Sequence, residues 1–125
     1  MPKQLSDFVQ EALSSIEECS VHAADELRKN GWTVLDVREG DEFQSGHIPG
    51  AYHVPRGFLE VRADLSHPKR DANMADRSKK YLCICGGGHR SALAAQTLVA
   101  MGFENVKSVA GGMSAWEAAK LEITT

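Results

Sequence analysis

One segment constrains the fold of this chain more than any other, and it reads Cys85-Gly86-Gly87-Gly88-His89-Arg90-Ser91. An apolar stretch, residues 81–84, leads into it, and an alanine-rich pattern with helical spacing, residues 92–101, leads out of it. We therefore predict a strand, a glycine loop and a helix in that order. The thiol of Cys85 then lies where the strand ends.

The predicted loop places this thiol at a helix N-terminus, where backbone N–H groups are unpaired and the helix dipole is positive. Such a position holds anions and favours the thiolate form of a cysteine. The glycines allow positive φ, so that the loop amides can turn inward as an anion-binding nest. The pattern indicates a nucleophilic thiolate for an anionic substrate. The alternative is a buried, inert cysteine in an ordinary strand-to-helix connection.

The segment resembles the active-site loop of rhodanese-type sulfurtransferases, in which a cysteine opens a short loop that closes with Arg-Ser. Three further segments resemble signatures of that family and follow in its order: Leu-Asp-Val-Arg-Glu (35–39), Gly-His-Ile-Pro-Gly-Ala (46–51) and Val-Ala-Gly-Gly-Met-Ser-Ala-Trp (109–116). The resemblance covers nearly the whole chain. It implies a three-layer α/β domain, in which helices cover both faces of a central, mostly parallel sheet.

Hydrophobic spacing predicts the other elements independently. Helices are expected at 5–17, 22–29, 57–64, 91–101 and 113–120, one helical turn at 41–44, and strands at 33–37, 52–54, 81–84 and 106–109. Strands that alternate with helices favour a parallel sheet covered on both faces. The cysteine loop then lies at the C-terminal edge of the sheet, where open α/β sheets bind ligands.

We divide the chain into an N-terminal amphipathic helical extension, residues 1–18, and a rhodanese-like catalytic domain, residues 19–125. The family resemblance does not require the extension, so its helix either caps or dimerises the domain or packs on it. Residues 66–80 are polar and contain five Lys or Arg. They form either a solvated loop or a basic surface that steers an anionic substrate or an acidic partner.

Composition excludes several classes of function. The net charge of -3 and the pI of about 5.9 argue against nucleic-acid binding. No apolar run is long enough to span a bilayer, and the N-terminus lacks the layout of a signal peptide. The odd number of three cysteines predicts no disulfide framework and suits the cytoplasm. The five histidines show no ligand spacing, so we expect no metal and no cofactor.

The resemblance also implies a mechanism. Cys85 attacks the outer sulfur of a small anionic donor such as thiosulfate, and it then carries a persulfide that cyanide, a small thiol or a protein thiol accepts. The backbone amides of residues 86–90 are expected to stabilise the persulfide.

Several side chains have two interpretations each. Arg90 either binds the sulfonate oxygens of the donor or holds the loop through a salt bridge. His89 either adds positive charge or faces solvent. Arg56 follows a strand end and either approaches the same pocket or is an ordinary surface arginine.

Asp36 either supports the catalytic loop by accepting backbone hydrogen bonds or forms a stabilising ion pair with Arg38. His47 is expected in a turn with a satisfied hydrogen bond. Cys83 lies two residues before Cys85 and on the same strand face, where buried packing is favoured over a role as a resolving thiol. Cys19 is expected to be structural or incidental.

Two other functions remain open. Tyrosine-type and dual-specificity phosphatases and arsenate reductases also use a cysteine loop that ends in arginine, but their loops hold five residues between Cys and Arg. Here there are four, residues 86–89, which suits one sulfur rather than a phosphate. The second of these alternatives is a non-catalytic rhodanese-like sulfur-carrier or binding module, although such modules usually lack the loop cysteine.

Overall fold

Five parallel strands form the centre of the fold in the computed structural model, which describes all 125 residues. They pair in the order β1-β5-β4-β2-β3. The strands are β1 (Glu17–Cys19), β2 (Thr33–Asp36), β3 (Tyr52–His53), β4 (Lys80–Ile84) and β5 (Asn105–Val109). The helices are α1 (Leu5–Leu13), α2 (Val21–Lys29), α3 (Gly40–Ser45), α4 (Leu59–Ala63), α5 (His89–Ala100) and α6 (Gly112–Ala118), with two 3-10 turns at Arg56–Phe58 and Ala72–Met74.

Helices cover both faces of the sheet, which confirms the predicted three-layer α/β architecture. One face packs against α4 and α5 through residues such as Leu59 and Leu98. The other packs against α2 and α6 through residues such as Val21 and Trp116. The central strand β4 is buried on both faces from residue 81 to 84, which explains its unbroken apolar sequence. No helix of the chain has the length and hydropathy needed to cross a membrane.

Strand register brings the loops that follow β2, β4 and β5 together at one edge of the sheet. Asp36 at the end of β2 pairs with Ile84 at the end of β4. Cys83 pairs with Ser108, one residue before the end of β5. Because all strands are parallel, the cysteine loop lies at the C-terminal edge, as predicted, and the residues that follow β2 and β5 lie at the same edge.

Helix α1 ends at Leu13 rather than at the predicted residue 17. The hydroxyl of Ser14 donates to the carbonyl of Glu11, and that of Ser15 donates to the carbonyl of Ala12. Serine hydroxyls that bond to the preceding turn offer the backbone an alternative to continued helix. Helix α1 packs against α5 and buries Ala12 completely, but Leu5 and Phe8 remain about half exposed.

Strand β1 was not predicted. Its three residues, Glu-Glu-Cys, pair in parallel with residues 107–109 of β5. The strand lies across the expected domain boundary between residues 18 and 19, and that division of the chain stays a prediction. The surface excursion of residues 66–80 has one buried member, Met74, whose side chain packs in the main core beneath an otherwise polar segment.

Candidate active site

The Cys85 thiol is buried at the base of the glycine loop, with a residue exposure of 1%. Its Sγ accepts hydrogen bonds from the backbone N–H groups of Gly88, at 3.1 Å, and Ser91, at 3.3 Å. These amides belong to the cap and first turn of α5, so the sulfur lies at the positive end of that helix. The arrangement stabilises negative charge on the sulfur.

Four further amides of the loop have no hydrogen-bond acceptor in the chain: those of Gly86, Gly87, His89 and Arg90. The amides of His89 and Arg90 belong to the first turn of α5, which a helix leaves unpaired, and those of Gly86 and Gly87 lie in the loop before it. Together with the two amides on Sγ they form a donor-rich surface. Such a surface fits an anion bound at the loop.

The loop is anchored through its carbonyls to the start of α6. The N–H of Met113 donates to the carbonyl of Cys85 at 2.7 Å, and the N–H of Ser114 donates to the carbonyl of Gly86 at 3.0 Å. In a trans peptide the N–H points opposite to the C=O. The amides of Gly86 and Gly87 therefore point away from α6.

Glycine is required at two points of this anchor. Gly88 caps α5 with φ +103°, and it is the only loop glycine with positive φ. Gly112 has φ +55°, and a methyl group there would lie 2.3 Å from the carbonyl oxygen of Cys85. Only glycine permits so close an approach of the two backbones.

Two buried serines lie beneath the sulfur. The thiol of Cys85 is 3.4 Å from Oγ of Ser91, which donates to the carbonyl of Gly88 at 3.1 Å and accepts from the hydroxyl of Ser108 at 2.9 Å. Both serines are fully buried. A rotatable hydroxyl in this position can donate to the sulfur when the thiol is ionised.

Arg90 forms an ion pair with Glu42 of α3. Its two terminal nitrogens donate to the two carboxylate oxygens at 2.7 and 3.0 Å. The guanidinium holds the pKa of Glu42 at about 2, well below the usual value of 4.5. Both side chains are about one third exposed, so the pair contributes at most about 1 kcal/mol to stability. It ties the loop to α3.

His89 is exposed and borders the N-terminal extension. It lines one end of a cavity of about 460 Å³ whose other walls come from α1 and its cap, including Val9 and Gln10. The extension therefore lies beside the cysteine loop.

The remaining predicted arginines are occupied elsewhere. The buried carboxylate of Asp36 accepts from the backbone N–H and the guanidinium of Arg38, so these two residues form an ion pair rather than a support for the loop amides. Arg38 also donates to the carbonyl of Gly46 at 2.8 Å. Arg56 pairs with Glu60 and donates to the hydroxyl of Thr97 in the last turn of α5.

His47 lies in a turn with a satisfied hydrogen bond, as predicted, because its Nδ1 donates to the carbonyl of Phe43 at 2.9 Å. Its ring also stacks on the ring of Phe43 at 3.8 Å. No group of three or more His, Cys, Asp or Glu side chains is placed to hold a metal ion.

Cys83 is fully buried, which confirms the packing interpretation. Desolvation, reinforced by Cys85, raises the pKa of its thiol to about 12. We expect iodoacetamide at pH 8 to modify Cys85 much faster than Cys83 in the folded protein, because the raised pKa keeps Cys83 protonated while backbone amides stabilise negative charge on Cys85. Peptide mapping by mass spectrometry measures this. Rapid modification of Cys83 without unfolding would contradict its burial.

Sequence reasoning missed three residues of the site. Glu42 was assigned only to a helical turn, although Glu39-x-x-Glu42 has the spacing of a capping box. Ser108 gave no signal, because a lone serine within a strand is not distinctive. Gly112 lies within the signature-like segment 109–116, but its contact with the cysteine loop depends on packing between distant segments.

Comparisons with known proteins agree with this architecture. The model of the rhodanese-like domain family matches residues 20–119. The thiosulfate sulfurtransferase GlpE of Pseudomonas savastanoi pv. phaseolicola is 37% identical over 95 residues, which cover 76% of this chain and 81% of GlpE. The Bacillus subtilis protein YrkF, named as a sulfur carrier, is 36% identical over 108 residues, or 85% of this chain. The chain spans 54% of the length of YrkF.

A solved structure from Rhodopseudomonas palustris superimposes with a TM-score of 0.93 at 34% identity, covering 99% of this chain and 96% of the other. It is described as a protein of unknown function and a possible tyrosine phosphatase. The family match spans most of the chain, and the cysteine loop lies at the C-terminal sheet edge with two of its amides bonded to Sγ. The chain belongs to the rhodanese-like domain family.

Proposed function

We propose that this protein is a sulfurtransferase that carries sulfane sulfur as a persulfide on Cys85. The observation that carries the proposal is the set of loop amides: two hold Sγ, and four more have no acceptor in the chain. An anionic persulfide would extend from Sγ among these donors. The names of relatives such as GlpE point to the same chemistry.

The proposed reaction has two steps. The Cys85 thiolate attacks the outer sulfur of thiosulfate, the bond between the two donor sulfurs breaks, and its electron pair leaves on sulfite. A thiolate or cyanide then attacks the terminal sulfur of the persulfide, and the electron pair of that sulfur–sulfur bond returns to Cys85. The loop amides and the dipole of α5 stabilise the negative charge in each state.

Intact mass spectrometry tests the proposal directly. Incubation with thiosulfate should add the mass of one sulfur atom, and later addition of cyanide or a small thiol should remove it. Peptide mapping should place the added sulfur on Cys85. If thiosulfate and small persulfides all leave the mass unchanged, the proposal is wrong.

A phosphatase is the second candidate, because the Rhodopseudomonas relative is described as a possible tyrosine phosphatase. The loop argues against it, since only four residues separate Cys85 from Arg90 and both terminal nitrogens of Arg90 bond to Glu42. Hydrolysis of aryl phosphates should therefore be negligible. Efficient hydrolysis that depends on Cys85 would favour the phosphatase over the sulfurtransferase.

Arg90 is expected to contribute to donor binding despite its ion pair. Arg90→Ala should raise the KM for thiosulfate and lower kcat/KM. The loss should correspond to about 1–3 kcal/mol of transition-state stabilisation, which is typical of a hydrogen bond to a charged group. Arg90→Lys should recover part of the loss, because it restores the charge without the planar fork. Steady-state kinetics measure both. If Arg90→Ala lowers thermal stability and leaves the kinetics of the folded fraction unchanged, Arg90 only ties the loop to α3.

A further inference from the structure

Glu42 is a carboxylate at the rim of the cysteine loop that the proposed reaction does not use. A methyl group added to Gly86 would lie 3.1 Å from Nη2 of Arg90 and 3.9 Å from Oε2 of Glu42. Gly86 follows Cys85 directly in the chain, so the ion pair lies against the first residue of the loop. Any donor that approaches the sulfur comes within range of this charge.

No arginine near the loop carries an unpaired positive charge. Arg90 is paired with Glu42, and Arg38 is paired with the buried Asp36. Arg56, for which the sequence left an approach to the same pocket open, is paired with Glu60. The backbone amides therefore supply most of the attraction for an anion, and the contribution of Arg90 is reduced by the opposite charge of Glu42.

Helix α3 and its N-cap carry further acidic residues beside Glu42 in the chain. Glu39 precedes the helix as its N-cap and Asp41 lies in its first turn, next to Glu42. The hydrogen bond and charge of Glu42, with smaller contributions from Cys85 and Glu39, raise the pKa of Arg90. The mouth of the loop thus combines donor-rich backbone with an acidic rim.

We propose that Glu42 sets donor choice, disfavouring the dianion thiosulfate relative to sulfane-sulfur donors that carry a single negative charge. The inference rests on the proposed sulfur transfer at Cys85. One carboxylate at the rim repels a dianion about twice as strongly as a monoanion at the same distance. For separations of several ångströms in a solvated mouth, the expected discrimination is roughly three- to tenfold at low ionic strength.

Two donors with different charge isolate this effect. Thiosulfate is a dianion that releases sulfite, and methanethiosulfonate is a monoanion that releases methanesulfinate. In both cases the Cys85 thiolate attacks the terminal sulfur, the sulfur–sulfur bond breaks, and the same Cys85 persulfide forms. The two donors are therefore compared on one reaction.

Glu42→Gln is the informative variant, because the amide keeps an oxygen that accepts from Arg90 while it removes the charge. We expect kcat/KM for thiosulfate, relative to methanethiosulfonate, to rise roughly three- to tenfold at low salt. Glu17→Gln is the matched control, since Glu17 also pairs with a basic residue, Lys107, but lies on β1 away from the loop. It should leave the ratio unchanged. An unchanged ratio in Glu42→Gln would overturn the proposal.

Alkylation of Cys85 tests the field of Glu42 without any sulfur transfer. The rate with iodoacetate, an anion, divided by the rate with neutral iodoacetamide should rise about two- to threefold in Glu42→Gln and stay constant in Glu17→Gln. If the ratio of the two alkylation rates is the same in Glu42→Gln as in the unmodified protein, the donor-choice proposal is wrong, whatever the rates of sulfur transfer. If the alkylation ratio rises but no donor transfers sulfur to Cys85 in any variant, the proposed function fails while the electrostatic role of Glu42 stands.

Discussion

Cys85→Ser is expected to abolish sulfur transfer from thiosulfate, with kcat/KM reduced by at least about a thousandfold. The serine hydroxyl can accept the hydrogen bonds that the amides of Gly88 and Ser91 now donate to Sγ, so the fold should be retained. It is not ionised near neutral pH and cannot carry a sulfane sulfur. Turnover with cyanide as acceptor and intact mass after thiosulfate measure the loss.

Cys83→Ala and Cys19→Ser are the matched controls for this experiment. Neither thiol contacts the loop donors, and Cys83→Ala should lower stability by only about 1 kcal/mol while most activity remains. Substantial turnover in Cys85→Ser would remove Cys85 from its proposed role. If Cys83→Ala stays folded but no longer takes up sulfur from thiosulfate, the thiol of Cys83 is also needed to form the persulfide.

Gly112→Ala is expected to disrupt the cysteine loop from outside it. The new methyl group would lie 2.3 Å from the carbonyl oxygen of Cys85 and 2.8 Å from that of Gly86, and φ is +55°. Overpacking and the left-handed backbone together should cost about 2–5 kcal/mol, or roughly 8–19 °C in Tm for a domain of this size. Because both close contacts are with loop backbone, thiosulfate turnover of the folded fraction should fall at least about tenfold.

Gly31→Ala is the control that introduces backbone strain at a positive φ without a steric clash against the cysteine loop. Gly31 has φ +100° with open space around it, so its substitution should cost only about 1–2 kcal/mol and leave the activity of the folded fraction unchanged. Circular dichroism melts and steady-state kinetics on both variants measure the difference. Equal activity losses in Gly112→Ala and Gly31→Ala would show that contact with the loop is not the reason for the glycine at position 112.

The layered sheet could be predicted because its signals are local. The apolar run of β4, the glycine loop and the alanine-rich start of α5 each consist of a few consecutive residues that favour a strand, a turn and a helix, respectively. Strand β1 could not be predicted in this way. Its residues, Glu17 to Cys19, are polar or half-buried, and the strand exists only because β5 offers an edge to pair with.

The residues of the cysteine loop could be predicted from the sequence, but the contacts that distant segments make with the loop could not. The loop residues and their amides follow from one contiguous segment. The pairing of Arg90 with Glu42 joins residues 48 positions apart, and the contact of Gly112 with Cys85 joins α6 to the loop. Such contacts follow from strand order and register, so charge and spacing alone do not identify the partner of Arg90.

Strand β1 affects whether the sheet edges of two copies of this protein can pair with each other. Both edges of the sheet are formed by very short strands, β1 with three residues and β3 with two. Short edge strands, one of them bearing the exposed carboxylates of Glu17 and Glu18, are poor templates for a strand from another chain. Without β1, the five-residue β5 would present a row of unpaired N–H and C=O groups to solvent. The N-terminal segment thus protects the sheet against edge-to-edge aggregation.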